Sequence, residues 1–98
     1  MSEVFIVVGL RAKEGMQGEL RRDLAAVVEP SRQEEGNLRY DLFVDQDDPG
    51  LFVFVEHWES REARNKHHEE GPHIQHFHAN GAQNVERTEF AHMLDRVA

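Results

Sequence analysis

The sequence contains no cysteine, only three prolines, one tryptophan and one tyrosine. Without cysteine the chain cannot form a disulfide, a thiolate nucleophile, a zinc ribbon or an iron–sulfur cluster. No apolar stretch approaches the ~20 residues of a membrane-spanning helix, and the first residues lack the basic start and cleavage site of a secretory signal. We therefore expect a cytoplasmic protein that has no membrane partner.

Positive charge is also scarce. Eleven lysines and arginines stand against nineteen acidic residues, for a net charge of −8, and the basic residues are scattered. This balance disfavours nucleic acids and anionic membranes as partners. The 98 residues are enough for a single domain, residues 1–98,. A domain of this size buries only about 60–65% of its unfolded surface, which oligomerisation commonly remedies.

Alternating apolar residues predict four strands. The second and third strands form a hairpin around a turn at residues 45–50 that is rich in aspartate, proline and glycine,. The strands are predicted at residues 4–10, 38–44, 51–58 and 85–94.

Helical spacing predicts a helix after the first strand, which Pro30 should kink or end because proline lacks an N–H. Ser31 is expected to cap a short restart of this helix. After the third strand, Ser60 should cap a helix that runs to about His68, and Pro72 should begin another. The second helix is thus expected to be broken in two.

The resulting order, β-α-β-β-α-β, predicts an α+β fold of the ferredoxin-like type, with an antiparallel sheet and helices on one face. The first and third strands carry apolar residues on both faces. The second face of the sheet therefore needs a cover as well. We expect a homodimer in which two sheets pack face to face, giving a dimeric α/β barrel.

Histidine is concentrated in one segment, since five of the seven histidines lie between His67 and His78. Histidine is the side chain whose ordinary pKa is nearest neutrality. Beside the aromatic residues of the third strand and last helix, these histidines indicate a proton-handling pocket, a metal site or a pH-responsive surface.

Two stretches of sequence resemble the antibiotic biosynthesis monooxygenase (ABM) family, nearest to its small quinol-monooxygenase-like and autoinducer-processing branch. The matching positions are Pro30-Ser31-x-x-Glu34-Glu35-Gly36-Asn37-Leu38-x-Tyr40, then Phe54-x-Glu56-x-Trp58-x-Ser60-x-x-Ala63-x-x-x-His67, with Pro72-His73 and Phe77. The resemblance implies a dimeric α+β barrel with a pocket between each sheet and its own helices. It also implies cofactor-independent oxygenases of phenols and quinols, haem-degrading enzymes and isomerase-like proteins as functional relatives.

This sequence departs from the family pattern at two points. The spacing from His67 to Pro72-His73 is one residue longer than is usual, so either His68 takes the family role of the helix histidine or residues 69–71 carry an insertion. Arg64 also replaces a residue that is typically apolar.

The favoured function is a cofactor-independent monooxygenase that oxidises a small aromatic or quinol-type substrate with O₂. A base must form the substrate anion that passes an electron to O₂, and a histidine suits that role. His67 and His73 are the candidate bases, with His68 as the alternative to His67. The candidate substrate-binding residues are an aromatic wall and its neighbours: Trp58, Phe52, Phe54, Phe77, Tyr40, His68 and Glu56, the last of which could orient a histidine.

Each of these residues also has a structural interpretation. The histidines can simply be solvated, the aromatic residues can be core, and Glu56 can pair across strands. A metal at His73, His76 and His78 would need help from carboxylates. Haem bound near His76 or His78 is disfavoured, because the first strand lacks the polar amide residue of the haem-degrading branch. No cofactor and no metal is therefore expected. Two other functions stay open, namely a non-catalytic small-ligand-binding or stress-response module and an isomerase of a small metabolite.

Overall fold

All four predicted strands form, and they make one antiparallel sheet in the order β2-β3-β1-β4. The structure is a computed structural model that describes residues 2–98. In that part of the chain the elements are β1 (Val4–Ala12), α1 (Gln17–Ala25), α2 (Val28–Arg32), β2 (Asn37–Asp45), β3 (Asp48–Trp58), α3 (Arg61–Glu70), α4 (Pro72–Asn80), a 3-10 turn (Ala82–Asn84) and β4 (Val85–Leu94). The ferredoxin-like α+β fold predicted from the pattern is confirmed.

The two faces of the sheet differ in their cover. The helix-covered face carries the core, which joins side chains of β1, β2 and β3 to those of the helices: Val4, Ile6, Tyr40, Phe52, Phe54 and Trp58 with Leu20, Leu24, Val27 and Ile74. The opposite face, which we call the open face, carries Phe5, Val7, Val53 and Val55, all only partly buried. Phe43 at the edge of the same face is 47% exposed. At one end of this face the Arg96 guanidinium lies 4.9 Å from the centre of the Phe5 ring, while Phe43, Val53 and Val55 stay partly exposed.

The break in the first helix precedes Pro30. The α1 helix ends at Ala25, and Pro30 lies in the first turn of α2, where a backbone N–H would have no partner within the helix,. The expectation that Ser31 caps this restart is wrong. Ser31 lies inside α2, fully buried, and its hydroxyl donates to the carbonyl oxygen of Val27 at 2.6 Å.

The hairpin turn is shorter than predicted, because β3 already begins at Asp48. The Asp45 carboxylate accepts a bond from the backbone N–H of Asp47 at 3.0 Å, which closes the turn within two residues. Asp48 then accepts from the backbone N–H of Gly50 and pairs with Arg11 at 2.7 Å, which holds the start of the strand against β1.

The second helix is broken as predicted. Ser60 caps α3, since its hydroxyl accepts a bond from the N–H of Ala63 at 3.1 Å, and the helix runs two residues beyond the predicted end. Pro72 occupies the first position of α4. In the described chain, 2–98, no helix has the length and apolar character that crossing a membrane requires.

A tight approach at Gly36 brings α3 over the start of β2. Gly36 has φ of +88°, a conformation that other residues rarely adopt,. A Cβ atom there would lie 2.6 Å from the Cβ of Ala63, which is closer than two carbon atoms can approach. Glycine at this position therefore lets the segment after α2 pass under α3, next to His67.

Candidate functional site

A cavity of about 510 Å³ lies between the sheet and the helices. This volume is within the range of small-molecule sites, about 300–1,000 Å³. Its apolar wall comes from strands β1, β3 and β4, from helices α1 and α4 and from the turns that follow these two helices: Ile6, Val8, Leu10, Leu24, Val27, Phe54, Ile74, Phe77, Ala82, Val85 and Ala91. Its polar lining residues are Tyr40, Glu56, Arg64, His67, His68, His78, Arg87 and Thr88.

His67 is the buried histidine of this lining, with 5% of its surface exposed. Its ring lies between two aromatic neighbours, with centroids 5.3 Å from Tyr40 and 4.8 Å from Trp58. The Nδ1 atom of His67 is hydrogen-bonded to the Glu34 carboxylate. A carboxylate only accepts, so Nδ1 carries the proton and Nε2 presents a lone pair.

Two opposing effects set the pKa of His67. Burial is the larger and lowers the pKa, while the hydrogen bond and charge of Glu34 raise it. The net direction is downward from the ordinary value of 6.5. The imidazole is therefore neutral at physiological pH and is able to accept a proton, as a general base must.

Glu34 was not among the predicted site residues, although it lies within the motif that resembles the ABM family. The signal that was present is its three-residue spacing from Ser31. The backbone N–H of Glu34 bonds to the carbonyl oxygen of Ser31 at 3.1 Å, so one helical turn carries both side chains towards the histidines,.

His73, the other predicted base, does not line the cavity. Its Nε2 atom lies 3.0 Å from the Ser31 hydroxyl and 3.4 Å from the Glu34 carboxylate, and its ring centre is 5.6 Å from that of His67. Since the single hydroxyl proton of Ser31 goes to Val27, the hydroxyl oxygen accepts from His73. The Nε2 atom of His73 thus carries a proton and supports Glu34. The structure places His67 at the cavity and His73 behind it.

His67 and His68, the two alternative histidines of α3, both line the cavity, but they differ in burial. His68 is exposed, and its ring lies 5.9 Å from that of His78. Arg64, one turn earlier on α3, lies beside them. We call these three residues together with Arg87 the rim. Burial followed by the charge of Arg64 lowers the pKa of His68.

Glu56 lines the cavity, but it does not orient a histidine as expected. Its carboxylate accepts the indole N–H of Trp58 at 2.9 Å, two residues along the same strand face. Burial raises the pKa of Glu56, while the Trp58 bond and the charge of Arg64 lower it less. Burial also raises the pKa of the Tyr40 hydroxyl, so this group stays protonated and can donate.

The predicted aromatic wall is only partly present. Phe54, Phe77 and Tyr40 line the cavity. Trp58 and Phe52 do not, because both side chains are almost completely buried in the core. Phe52 lies towards a shallow surface groove near α1 and α2 instead. Trp58 acts on the cavity through Glu56 and through its contact with the His67 ring.

The residues proposed for a metal, His73, His76 and His78, do not converge. His76 bonds to Asn80, and His78 faces the cavity rim. Within residues 2–98 the one group of three possible ligands is Glu34, His67 and His73, whose ligand atoms lie within 4.8 Å of one another. Two imidazoles and a carboxylate suit Zn²⁺ or Fe²⁺, but hydrogen bonds to each other and to Ser31 already satisfy the same atoms.

Comparison with known proteins adds to this geometry. The family model for antibiotic biosynthesis monooxygenase, ABM, matches residues 3–80. A Bacillus subtilis (strain 168) protein named "Putative monooxygenase YcnE" is 36% identical over 74 residues, which cover 76% of this chain and 77% of that protein.

Solved structures share this fold. The crystal structure of PA3566 from Pseudomonas aeruginosa superposes with a TM-score of 0.91 at 30% identity, covering 100% of this chain and 97% of that one. Rv0793 from Mycobacterium tuberculosis superposes with a TM-score of 0.88 at 26% identity, covering 99% and 97%. With its sheet, its cavity and the family match over most of its length, this chain belongs to the antibiotic biosynthesis monooxygenase family.

Proposed function

We propose that this chain is a cytoplasmic, homodimeric monooxygenase that oxidises a small phenol or quinol with O₂ and without a cofactor. The observation that carries the proposal is His67, a neutral imidazole in the wall of an apolar cavity, whose Nδ1 proton is held by Glu34. This arrangement leaves Nε2 as the proton acceptor. The monooxygenase-type role agrees with the family and with the name of the Bacillus relative.

The chemistry begins with a proton transfer. Nε2 of His67 accepts the hydroxyl proton of the substrate, and the Glu34 carboxylate stabilises the resulting imidazolium. The electron-rich anion passes one electron to O₂, and the two radicals join to form a C–O bond at a ring carbon. The peroxide then breaks its O–O bond as that carbon loses its hydrogen. One oxygen atom stays on the ring as a carbonyl, and the other leaves as water.

The atoms and electrons of this reaction balance without a cofactor. A phenol with one ring C–H and O₂ gives a quinone and one water, and the substrate supplies all four electrons. The proton that His67 took in the first step is returned to the departing hydroxide. The apolar wall formed by residues such as Val8, Phe54 and Ile74 suits this sequence because it excludes water from the radical pair,.

The open face supports the proposed homodimer. Phe43 and Leu94 are each 47% exposed there, next to half-buried valines of β1 and β3. Contiguous apolar surfaces of this kind mark interaction sites. A second copy packed sheet to sheet would cover this face and leave the cavity, which lies on the other face, accessible.

Oxygen consumption with a panel of phenols and hydroquinones tests the proposed activity. Replacing the base in His67→Gln should lower the rate by ~10²–10⁴-fold, the usual contribution of a general base. His76→Gln is the matched control, because His76 is exposed and bonds only to Asn80 on its own helix. An unchanged rate in His67→Gln would remove His67 from the mechanism.

The same panel separates the other two functions. A ligand that raises the melting temperature without oxygen uptake would indicate a binding module. Conversion of a metabolite at an equal rate under nitrogen would indicate an isomerase.

A further inference from the structure

The proposed reaction uses none of the four rim residues, and Arg64 is the one that can bind a ligand by charge. Its side chain is half-buried in the cavity wall, one helical turn before His67 and His68. The structure, over residues 2–98, gives Arg64 one side-chain hydrogen bond, to the Asn65 amide oxygen at 3.3 Å, and no ion pair. Arg87, the other arginine of the rim, is already paired with Glu89 at 3.3 Å.

The rim of the cavity is rich in basic side chains although the whole chain is acidic. The protein carries a net charge of −8, yet the rim presents two arginines and two histidines, and the buried Glu56 carboxyl lines the same cavity. The pKa of His68 is lowered by burial and by Arg64, so His68 is neutral at physiological pH and offers a neutral donor or acceptor. The uncompensated cation beside the cavity is therefore the Arg64 guanidinium.

We propose that Arg64 is an anion-binding residue that selects aromatic substrates carrying a carboxylate or phosphate group beside the ring that is oxidised. The apolar wall holds the ring, while the planar guanidinium fork at the rim matches the two oxygens of a carboxylate or phosphate. The substrate assignment rests on the proposed function, but anion binding by Arg64 does not.

A competing role for Arg64 is to offset the buried charge of Glu56, whose pKa it lowers. The two groups form no direct bond, and the closest donor to Glu56 is the Trp58 indole. If Arg64 acted only through its charge on Glu56, Arg64→Lys would keep the whole preference for anions, whereas direct binding by the guanidinium fork predicts that lysine keeps only part of it. The two roles therefore differ in a measurable way.

The test is ligand binding without turnover. Binding of 2-naphthoate, 2-naphthyl phosphate and the neutral 2-naphthamide is measured by calorimetry at low and high salt. We expect the wild type to bind the tighter-binding of the two anions more strongly than it binds the amide. Arg64→Met should reduce this preference by about 10–100-fold, the usual effect of losing a charge-assisted hydrogen bond. High salt should weaken binding of the anions only.

Two further variants keep the result interpretable. Arg61→Met removes an exposed arginine from the same helix and should leave the preference unchanged. Arg64→Lys keeps the charge without the fork, so it should retain part of the preference and also guard against a folding defect in Arg64→Met. An equal preference in the wild type and Arg64→Met, or an equal loss in Arg61→Met, would overturn the proposal. Anion selectivity without any oxygen uptake would leave this site standing and remove the oxygenase.

Discussion

Replacing Glu34 by glutamine tests how the base is oriented. The carboxylate is hydrogen-bonded to Nδ1 of His67 and lies 3.4 Å from Nε2 of His73. In the transition state His67 becomes an imidazolium, and a hydrogen bond to a charged partner contributes about 1.5–3 kcal/mol against about 0.5–1.5 kcal/mol for a neutral one. The difference, about 1–2 kcal/mol, corresponds to a loss of about 5- to 30-fold in kcat/KM.

The pH profile of this variant has a definite sign. Activity should rise with pH as His67 loses its proton and then level off. In the wild type the midpoint of this ascending limb of the pH profile lies below pH 6.5, because burial lowers the pKa of His67. Glu34 opposes burial by raising that pKa. Glu34→Gln should therefore move the limb to still lower pH.

Oxygen uptake as a function of pH measures both effects, and the limb in kcat/KM reports the free enzyme. Glu35→Gln is the matched control, since Glu35 is the adjacent residue and is exposed. It should change neither the rate nor the limb. A limb that stays in place or moves to higher pH in Glu34→Gln would refute the idea that this carboxylate acts on the catalytic proton.

Three further predictions concern assembly, cofactors and the core. Val53→Asp places a charge in the middle of the open face, where a dimer interface would desolvate it. Light scattering should therefore show a dimer of about twice 11.4 kDa for the wild type and a monomer for this variant. Val97→Asp, at a position 99% exposed, should leave the dimer intact. Dialysis against EDTA should leave oxygen uptake unchanged, whereas a loss restored by added Fe²⁺ or Zn²⁺ would contradict cofactor independence. Trp58→Phe should lower the melting temperature by roughly 6 °C or more, because the buried Glu56 carboxylate loses a hydrogen bond of about 1.5 kcal/mol or more,. The loss should grow as pH rises through the folded-state pKa of Glu56, which burial holds above 4.5, since without that bond burial raises this pKa further and the folded state increasingly resists ionisation of Glu56,.

The sheet could be predicted from the sequence because its signals are local. Period-two alternation identified all four strands, and β4 runs from Val85 to Leu94 as predicted. Ser60 and Pro72 marked helix starts through capping and a fixed φ angle, which act within one turn,. The hairpin turn was overestimated because Asp48 looks like a turn residue until its ion pair with Arg11, from another strand, is known.

The site was harder to predict because its contacts join distant parts of the chain. Glu34 and His67 are 33 residues apart, and Ser31 and His73 are 42 apart. Composition indicates a histidine-rich pocket, but only these long-range contacts show which histidine is buried and bonded to a carboxylate. Phe52 was misassigned for a related reason, because strand alternation gives the face of a residue and not its position along that face.

The two ring nitrogens of His67 have different surroundings. Glu34 holds the proton of Nδ1, and His73, which is bonded to Ser31, lies 3.4 Å from the same carboxylate. Within residues 2–98 Nε2 has no carboxylate partner, and the imidazole lines the cavity. If both nitrogens had faced carboxylates, the histidine would have been held as a cation and could not act as a base at neutral pH. The asymmetry, more than the number of histidines, is what makes this cavity suited to proton abstraction.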